Sequence, residues 1–565
     1  MFKVPTLHQW QKLPSVLNKK ERYFITGFLI LAIASLFGWL IIYRLETTVV
    51  APAFGGSFSE AIVGSPQYIN PILSQASDSD RDVTELVFSG LTKYNNRGEI
   101  VPNLAEKFNV GENGKLYEFF LRKNVKWHDG EPFTADDVIF TINRIQNPDF
   151  RSPLRVNWIG VEAEKVDDYT VRFKLKNAYA PFLANTTAGI IAKHIWEEIQ
   201  PADFSLVPEN LDPIGTGPYK LVKIKKDNEG FVSYIKLEAF GDYTSGLRPF
   251  IDQINLYFYP DEETAIKAYN RGQVDNFGLI SIKNKSLIKG ESRSNIKKLN
   301  LPRYFAVFFN QSKSKALSDK IVRQALNYAT DKNQIIREVL DGEGQVVNSP
   351  IPTSVWGHAS DLKIYDFAQE HAKNILEAGG WKDADNDEYR EKGIEKLEID
   401  LVTTGLKELQ QVASILQEQW SKIGVKTNVK ILDIGEIQQE YIRPREYQAL
   451  LFGEVLGLDP DPFSFWHSSQ KKDPGLNLAL YDNAKVDTLL RDARQIIEPE
   501  LRLKKYRDFQ QLVIDDAPVV FLYSSYQIYL ISKKIQGFEI QNIVLPSKRF
   551  ADIEKWYIKT QRVKK

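Results

Sequence analysis

The chain of 565 residues is 43% hydrophobic and 26% charged, the balance of a folded globular protein rather than a disordered stalk. Its 73 basic side chains are matched by 73 acidic ones, and a formal net charge of zero excludes the basic excess on which nucleic-acid binding rests. There is no cysteine, which removes disulfides, thiolate metal sites and the lipid-bearing cysteine of a lipoprotein, while naming no compartment.

From Tyr23 to Tyr43 the sequence YFITGFLILAIASLFGWLIIY runs for 21 residues without a charge. As a helix it spans about 30 Å, the thickness of a bilayer's hydrocarbon core. Lys3, Lys12, Lys19, Lys20 and Arg22 precede it against Glu21 alone, so the positive-inside rule keeps the tail 1–22 in the cytoplasm. Everything after Arg44 is then extracytoplasmic. A cleaved signal peptide is the rival, because Ala32-Ile33-Ala34 and Ala51-Pro52-Ala53 are small-x-small sites. Leu36 to Ile42 continue the apolar run past the first site, and the second follows a full spanning length. The reading taken is an uncleaved single-pass anchor, 23–43, in the cytoplasmic membrane. Residues 44–56, RLETTVVAPAFGG, read as a short linker that keeps the following lobes close to the bilayer.

About 520 residues follow, enough for two to four domain-sized units, with no second hydrophobic span. Near 117–127, YEFFLRKNVKW alternates aromatic and polar residues and reads as a strand. Asp129-Gly130 supplies a turn, and Thr134 caps a helix with Asp136 and Asp137 in its first turn. Val138, Ile139, Ile142 and Ile145 follow at helical spacing. Over 406–423, Leu406, Leu409, Val412, Ala413, Leu416, Trp420 and Ile423 mark the buried face of a second helix, ended by Gly424. The flanking runs LEIDLVT and VKTNVKIL are strand-like, which makes this a strand–helix–strand unit.

Three signals of site chemistry are weak. Asp383-x-Asp385-x-Asp387 opens like a calcium loop, but Glu388 replaces its glycine and Ile394 its bidentate glutamate, so a solvated hairpin tip is the better reading. The six histidines show no paired zinc spacing, and His128 reads as structural. Ser312-x-x-Lys315 lacks the companion motifs of a serine acyl-enzyme. With no phosphate loop and no nucleophile elbow, the expectation is a non-enzyme without metal or cofactor.

Phe119 to Ile145, FFLRKNVKWHDGEPFTADDVIFTINRI, resembles the extracytoplasmic solute-binding proteins of peptide ABC transporters, the oligopeptide- and dipeptide-binding family, solute-binding family 5. Further matches to it are Gly215-Thr216-Gly217-Pro218-Tyr219, Gly272-Gln273-Val274-Asp275 and 322–329, VRQALNYA. Later in the chain come 372–379, AKNILEAG, and 481–487, YDNAKVD. The resemblance implies an α/β, two-lobed periplasmic-binding-protein fold of the large peptide-binding type with an extra subdomain, preceded here by one N-terminal transmembrane helix. Lobe I would take 57–306, lobe II 307–522, and 523–565 would return to lobe I. The crossing strands would be Tyr304–Phe309 and Val519–Tyr523, both continuous apolar runs suited to doubly buried strands.

The family function implied is a monomeric receptor that closes around a peptide or similar small solute and passes it to ABC permease and ATPase subunits. Alternatives on the same fold are a non-transport ligand sensor and an exported peptide hydrolase. Family members that bind peptides hold them in extended form through main-chain hydrogen bonds, with an aspartate as anchor for the peptide amine. The matching region is 453–463, GEVLGLDPDPF, in which the anchor position falls on Leu458. Either Asp459 or Glu454 substitutes, or the ligand is not a free-amine peptide. Phe309 and Asn310, at the end of the first crossing strand, are further cleft candidates. Trp356, Tyr523 and Tyr526 are candidate aromatic walls.

Overall fold

The computed structural model describes residues 6–244, 246–289 and 291–565; the first five residues of the expected cytoplasmic tail, Lys3 among them, lie outside the described residues. The apolar run forms one helix, Lys19–Thr47, capped at Asn18, whose side chain accepts from the Glu21 amide at 3.0 Å. None of its residues is buried against the protein, and the mean hydropathy of its most apolar stretch is 2.4, so by length and composition it can cross a membrane.

The expected linker is not a free linker. Arg44–Thr47 prolong the helix, and Thr48–Ala53 form a strand paired antiparallel with Lys559–Lys564, the last strand of the chain. Val49, Val50 and Thr48 are β-branched, and no packing face competes for them, so they extend as soon as a partner strand is present.

Two large sheets follow. The first has seven strands in the order Ser294–Leu299, Gln527–Ser532, Asn276–Ile280, Ser57–Val63, Gln253–Tyr259, Val232–Ala239 and Tyr219–Lys226. The second has six, in the order Gly344–Val346, Val519–Ser525, Arg303–Phe309, Ala449–Val455, Glu398–Thr404 and Lys426–Leu432. A separate four-stranded antiparallel sheet, from Ala105–Gly111 to Thr170–Leu175, is carried on the first lobe.

The chain passes between the large sheets twice, through Asn300–Pro302 and through Tyr526. This corrects the expected crossing points. Arg303–Phe309 lies wholly within the second sheet, as does Val519–Ser525 beside it. Both strands are buried on both faces: Val307 and Phe309 enter one core, while Tyr304, Ala306 and Phe308 enter the other. An apolar run can mark a doubly buried strand but not which sheet hydrogen-bonds it.

The local elements form where their patterns place them. Leu116–Leu121 buries Tyr117, Phe119 and Leu121 in alternation. Helix Ala135–Gln146 starts at Thr134, with the Thr134 amide donating to Asp137 at 2.9 Å in a capping box. Helix Lys407–Ser421 joins the parallel strands Glu398–Thr404 and Lys426–Leu432. His128 ties two of the quoted motifs together: its Nε2 donates to the Gly217 carbonyl at 3.0 Å, and its Nδ1 accepts from the Gly215 amide at 3.3 Å. A Cβ on Gly215 would lie 1.9 Å from the Val87 carbonyl oxygen, so only glycine admits this contact.

Candidate functional site

The loop 456–462 leaves the second sheet at its junction with the first lobe, where the Leu456 amide donates to Pro302 at 2.6 Å. Its Asp-Pro-Asp-Pro sequence fixes the backbone dihedrals that turn it into the cleft between the sheets. Leu458 is buried, and its carbonyl accepts from the Trp356 amide at 3.1 Å. Across the cleft, Gly98 of the first lobe has φ +79°, and a Cβ there would come within 2.9 Å of Leu458 Cδ1. The position of the expected amine anchor is therefore filled by an apolar interlobe contact.

Asp459 is not a free acid. Arg502 Nη2 lies 2.6 Å from its Oδ1 and Nη1 donates to its Oδ2 at 3.0 Å. Arg502 also donates to the Pro460 carbonyl at 3.2 Å and the Tyr506 hydroxyl at 3.0 Å, and its guanidinium sits 4.8 Å from the Trp356 ring centre. Burial works against the Arg502 charge, but Tyr506 and Asp459 hold its pKa above the usual value. From the first lobe Tyr117 faces this pair; burial, helped by the Asp459 charge, pushes its phenol up to about 12.

Asp461 is paired in the same way. Arg494 reaches its carboxylate through Nε and Nη2 at 2.6–3.0 Å and lies 4.2 Å from the Phe463 ring centre. Tyr179 of the first lobe donates to Asp461 at 3.3 Å, and the Ala180 amide donates to the Arg494 carbonyl at 2.8 Å. These two bonds clasp the lobes together.

Behind Gly457 is a cavity of about 280 Å³, bounded mainly by the first lobe through Tyr94, Leu154, Trp158, Arg81, Glu85 and Lys548. That is the lower end of the range for small-molecule sites. Arg81 pairs with Asp78, and Lys548 with Glu85 at 2.6 Å, so among the described residues no lining charge is unpaired. On the crossover side, a larger groove of about 940 Å³ is lined by Asn300 and Tyr526, the crossover residues themselves, with Arg97, Lys297, Lys298 and Gln345.

Of the expected site residues, the structure brings Trp356 and Asp459 together around Arg502 and places Tyr526 in the crossover groove. The others lie elsewhere. Phe309 is fully buried in the second-lobe core. Asn310 is committed to its own turn: its Nδ2 donates to Arg445 at 2.9 Å and its Oδ1 accepts from Ser312. Tyr523 stacks on Phe305 and donates to Glu408 at 2.7 Å inside the second lobe. Glu454 is buried on the strand beside Tyr304, whose hydroxyl donates to it. Burial raises its pKa to about 8, so it is protonated at neutral pH and cannot stand in as a charged anchor.

Arg502, Arg494, Tyr117 and Tyr179 were not legible as site residues. The one available signal was the pair of acids at 459 and 461, which need cations if buried; which cations could not be read. The acids of the calcium-like stretch do converge: Asp383, Asp385 and Glu391 lie within 4.8 Å of one another. They are at an exposed tip, where Asp383 accepts from the amides of Asp387 and Glu388.

Residues 99–475 match the family described as bacterial extracellular solute-binding proteins, family 5, middle region. The oligopeptide-binding protein AppA of Bacillus subtilis (strain 168) is 31% identical over 515 residues, 90% of this chain and 92% of its own. The structure of AppA from Bacillus subtilis in complex with a nonapeptide aligns with TM-score 0.67 at 30% identity, covering 90% of this chain and 100% of that one. NikZ from Campylobacter jejuni in complex with Ni(L-His) aligns with TM-score 0.68 at 29% identity, covering 89% and 99%.

Proposed function

Because the chain belongs to family 5 of the bacterial extracellular solute-binding proteins, we propose that its substrate-binding role is the capture of a peptide-like solute between two closing lobes, for delivery to an ABC permease and ATPase. The observation that carries this reading is the loop 456–462, rooted at the crossover and bonded to the first lobe through Asp461 and Arg494. Such a loop makes more contacts when the lobes are shut, and that difference is what a trapped ligand stabilises. The protein acts as a receptor without catalysis, working as a monomer.

The tethered reading is part of the proposal. The helix Lys19–Thr47 holds the N-terminus in the cytoplasm and the lobes outside. Removal of the segment up to Ala53 would take the strand Thr48–Ala53 away from Lys559–Lys564, its partner.

With Leu458 at the anchor position and Asp459 neutralised by Arg502, the peptide amine is not the recognised group. The backbone of an extended peptide is. The test is intrinsic tryptophan fluorescence of the full chain in detergent, with free-amine and N-acetylated peptides of two to nine residues. A saturable change with both forms supports the reading. Silence across the peptides, with a response to a nickel–histidine complex, overturns it.

A further inference from the structure

The last strand of the chain ends against the membrane helix. Lys565 donates its amide to the Thr47 carbonyl at 3.0 Å, and Thr48 pairs with Lys564 in register. Arg562 reaches further, donating from Nε to Thr48 Oγ1 at 2.8 Å and from Nη2 to the Leu45 carbonyl at 3.1 Å. Leu45 belongs to the helix's last turn, whose carbonyls otherwise lack partners. The C-terminal strand is thus bonded to the end of the helix and not merely near it.

Charge is concentrated at this junction. The whole chain balances 73 basic against 73 acidic side chains. At the base of the ribbon stand Arg44, Arg562, Lys564 and Lys565 against Glu46 alone, all exposed. Among the described residues none of the five is in an ion pair, although charged side chains elsewhere in the protein are widely paired. A carboxylate at the end of the chain, if counted, still leaves the cluster positive. Val49 and Val563 face each other beside it, 43% and 37% exposed, on a ribbon with no protein covering that face.

Position identifies the partner. Rising about 1.5 Å per residue, the helix carries the chain from Tyr43 to Thr47 by little more than one turn, about 6 Å. Lys564 and Lys565 sit opposite Thr48 and Thr47, so their ammonium groups lie within a Debye length, about 8–10 Å, of the plane where the helix leaves the bilayer. We propose that this ribbon base, Arg44, Arg562, Lys564 and Lys565, docks on the phosphates of anionic phospholipids in the outer leaflet. Docking seats the C-terminal strand on the membrane and holds the first lobe in one orientation above it. The proposal rests on the tethered reading. A bare linker would let the receptor tumble, whereas a ribbon bonded to the helix end and seated on lipid restricts its tilt.

The absence of cysteine allows a single-site label. Val563→Cys carrying a fluorophore, in the full chain reconstituted into vesicles, is read with lipids bearing a nitroxide on the headgroup, which quench at contact range. With 30% phosphatidylglycerol, strong quenching is expected; with phosphatidylcholine alone, or in 0.5 M salt, it should fall away. Combining Arg44→Gln, Lys564→Gln and Lys565→Gln, with Arg562 kept to hold the ribbon, lowers the docked-to-lifted ratio by about a hundredfold. Quenching that is the same in both lipids, at both salt concentrations and in both proteins overturns the proposal. A chain that does not float with vesicles at all shows instead that the tether reading has failed.

Discussion

Arg502 and Asp459 face each other across 2.6 Å, the guanidinium 5% exposed and the carboxylate 29%, at the point where the second lobe enters the cleft. The pair turns what the sequence offers as an anchor for a ligand's amine into an internally neutral element. An ammonium approaching Asp459 meets the Arg502 charge as well, and the two oppose each other.

Asymmetric consequences follow for the two partners. Asp459→Asn leaves Arg502 buried without its counter-ion and should lower stability by about 3 kcal/mol. Arg502→Met frees the carboxylate and should create a preference for free-amine over N-acetyl peptides that the parent protein lacks. Denaturant titration checks the first and paired peptide titrations the second; equal affinities for both peptide forms in Arg502→Met would refute the pairing argument.

Glu454 makes stability fall with rising pH. Its carboxyl is raised from 4.5 to about 8 by burial, so the folded chain keeps a proton that the unfolded chain has lost. Between those values the folded state alone binds the proton, and each unit of pH costs about 1.4 kcal/mol at most. Glu454→Gln should flatten the decline between pH 5 and pH 8, measured as unfolding free energy at several pH values.

His128 acts with the opposite sign. Burial lowers its pKa from 6.5 to about 4, so acid favours the unfolded chain, which takes up a proton that the folded one refuses. Stability contributed by the neutral ring is complete above 6.5 and is lost as pH falls towards 4. His128→Ala leaves the Gly217 carbonyl and Gly215 amide unpartnered, a loss of about 1–3 kcal/mol with little acid dependence left. Acid titration of the unfolding midpoint in both proteins checks it.

Tyr179→Phe removes the hydroxyl that bonds Asp461 across the cleft while leaving the ring in place. A hydrogen bond to a charged group contributes about 1.5–3 kcal/mol. Ligand should therefore bind at least about tenfold more weakly, through faster release, with the melting temperature of the ligand-free protein nearly unchanged. A parallel loss of thermal stability would show that the contact belongs to the fold rather than to closure.

The elements read from the sequence were those whose determinants lie within one turn or one strand. The capping box at Thr134 and Asp137, the alternation at Tyr117, Phe119 and Leu121, and the apolar face of Lys407–Ser421 each carry their own signal. The site was less legible. Glu454 and Asp459 are acids five residues apart in one segment, and nothing local distinguishes the one that is protonated beneath Tyr304 from the one that is ion-paired to Arg502.

By itself, the sequence determined the spanning helix, the individual strands and helices, and the succession of motifs by which the family is recognised, because hydrophobic period, turn chemistry and caps act over a few residues. Only the tertiary structure decided where the chain crosses between sheets, that its two ends join in a ribbon, and which acids are already spoken for. Those depend on partners 43 residues away for Asp459, 150 for Glu454 and more than 500 for Thr48. A polar group's chemistry is set by what neutralises it, and that neighbour is chosen by the fold.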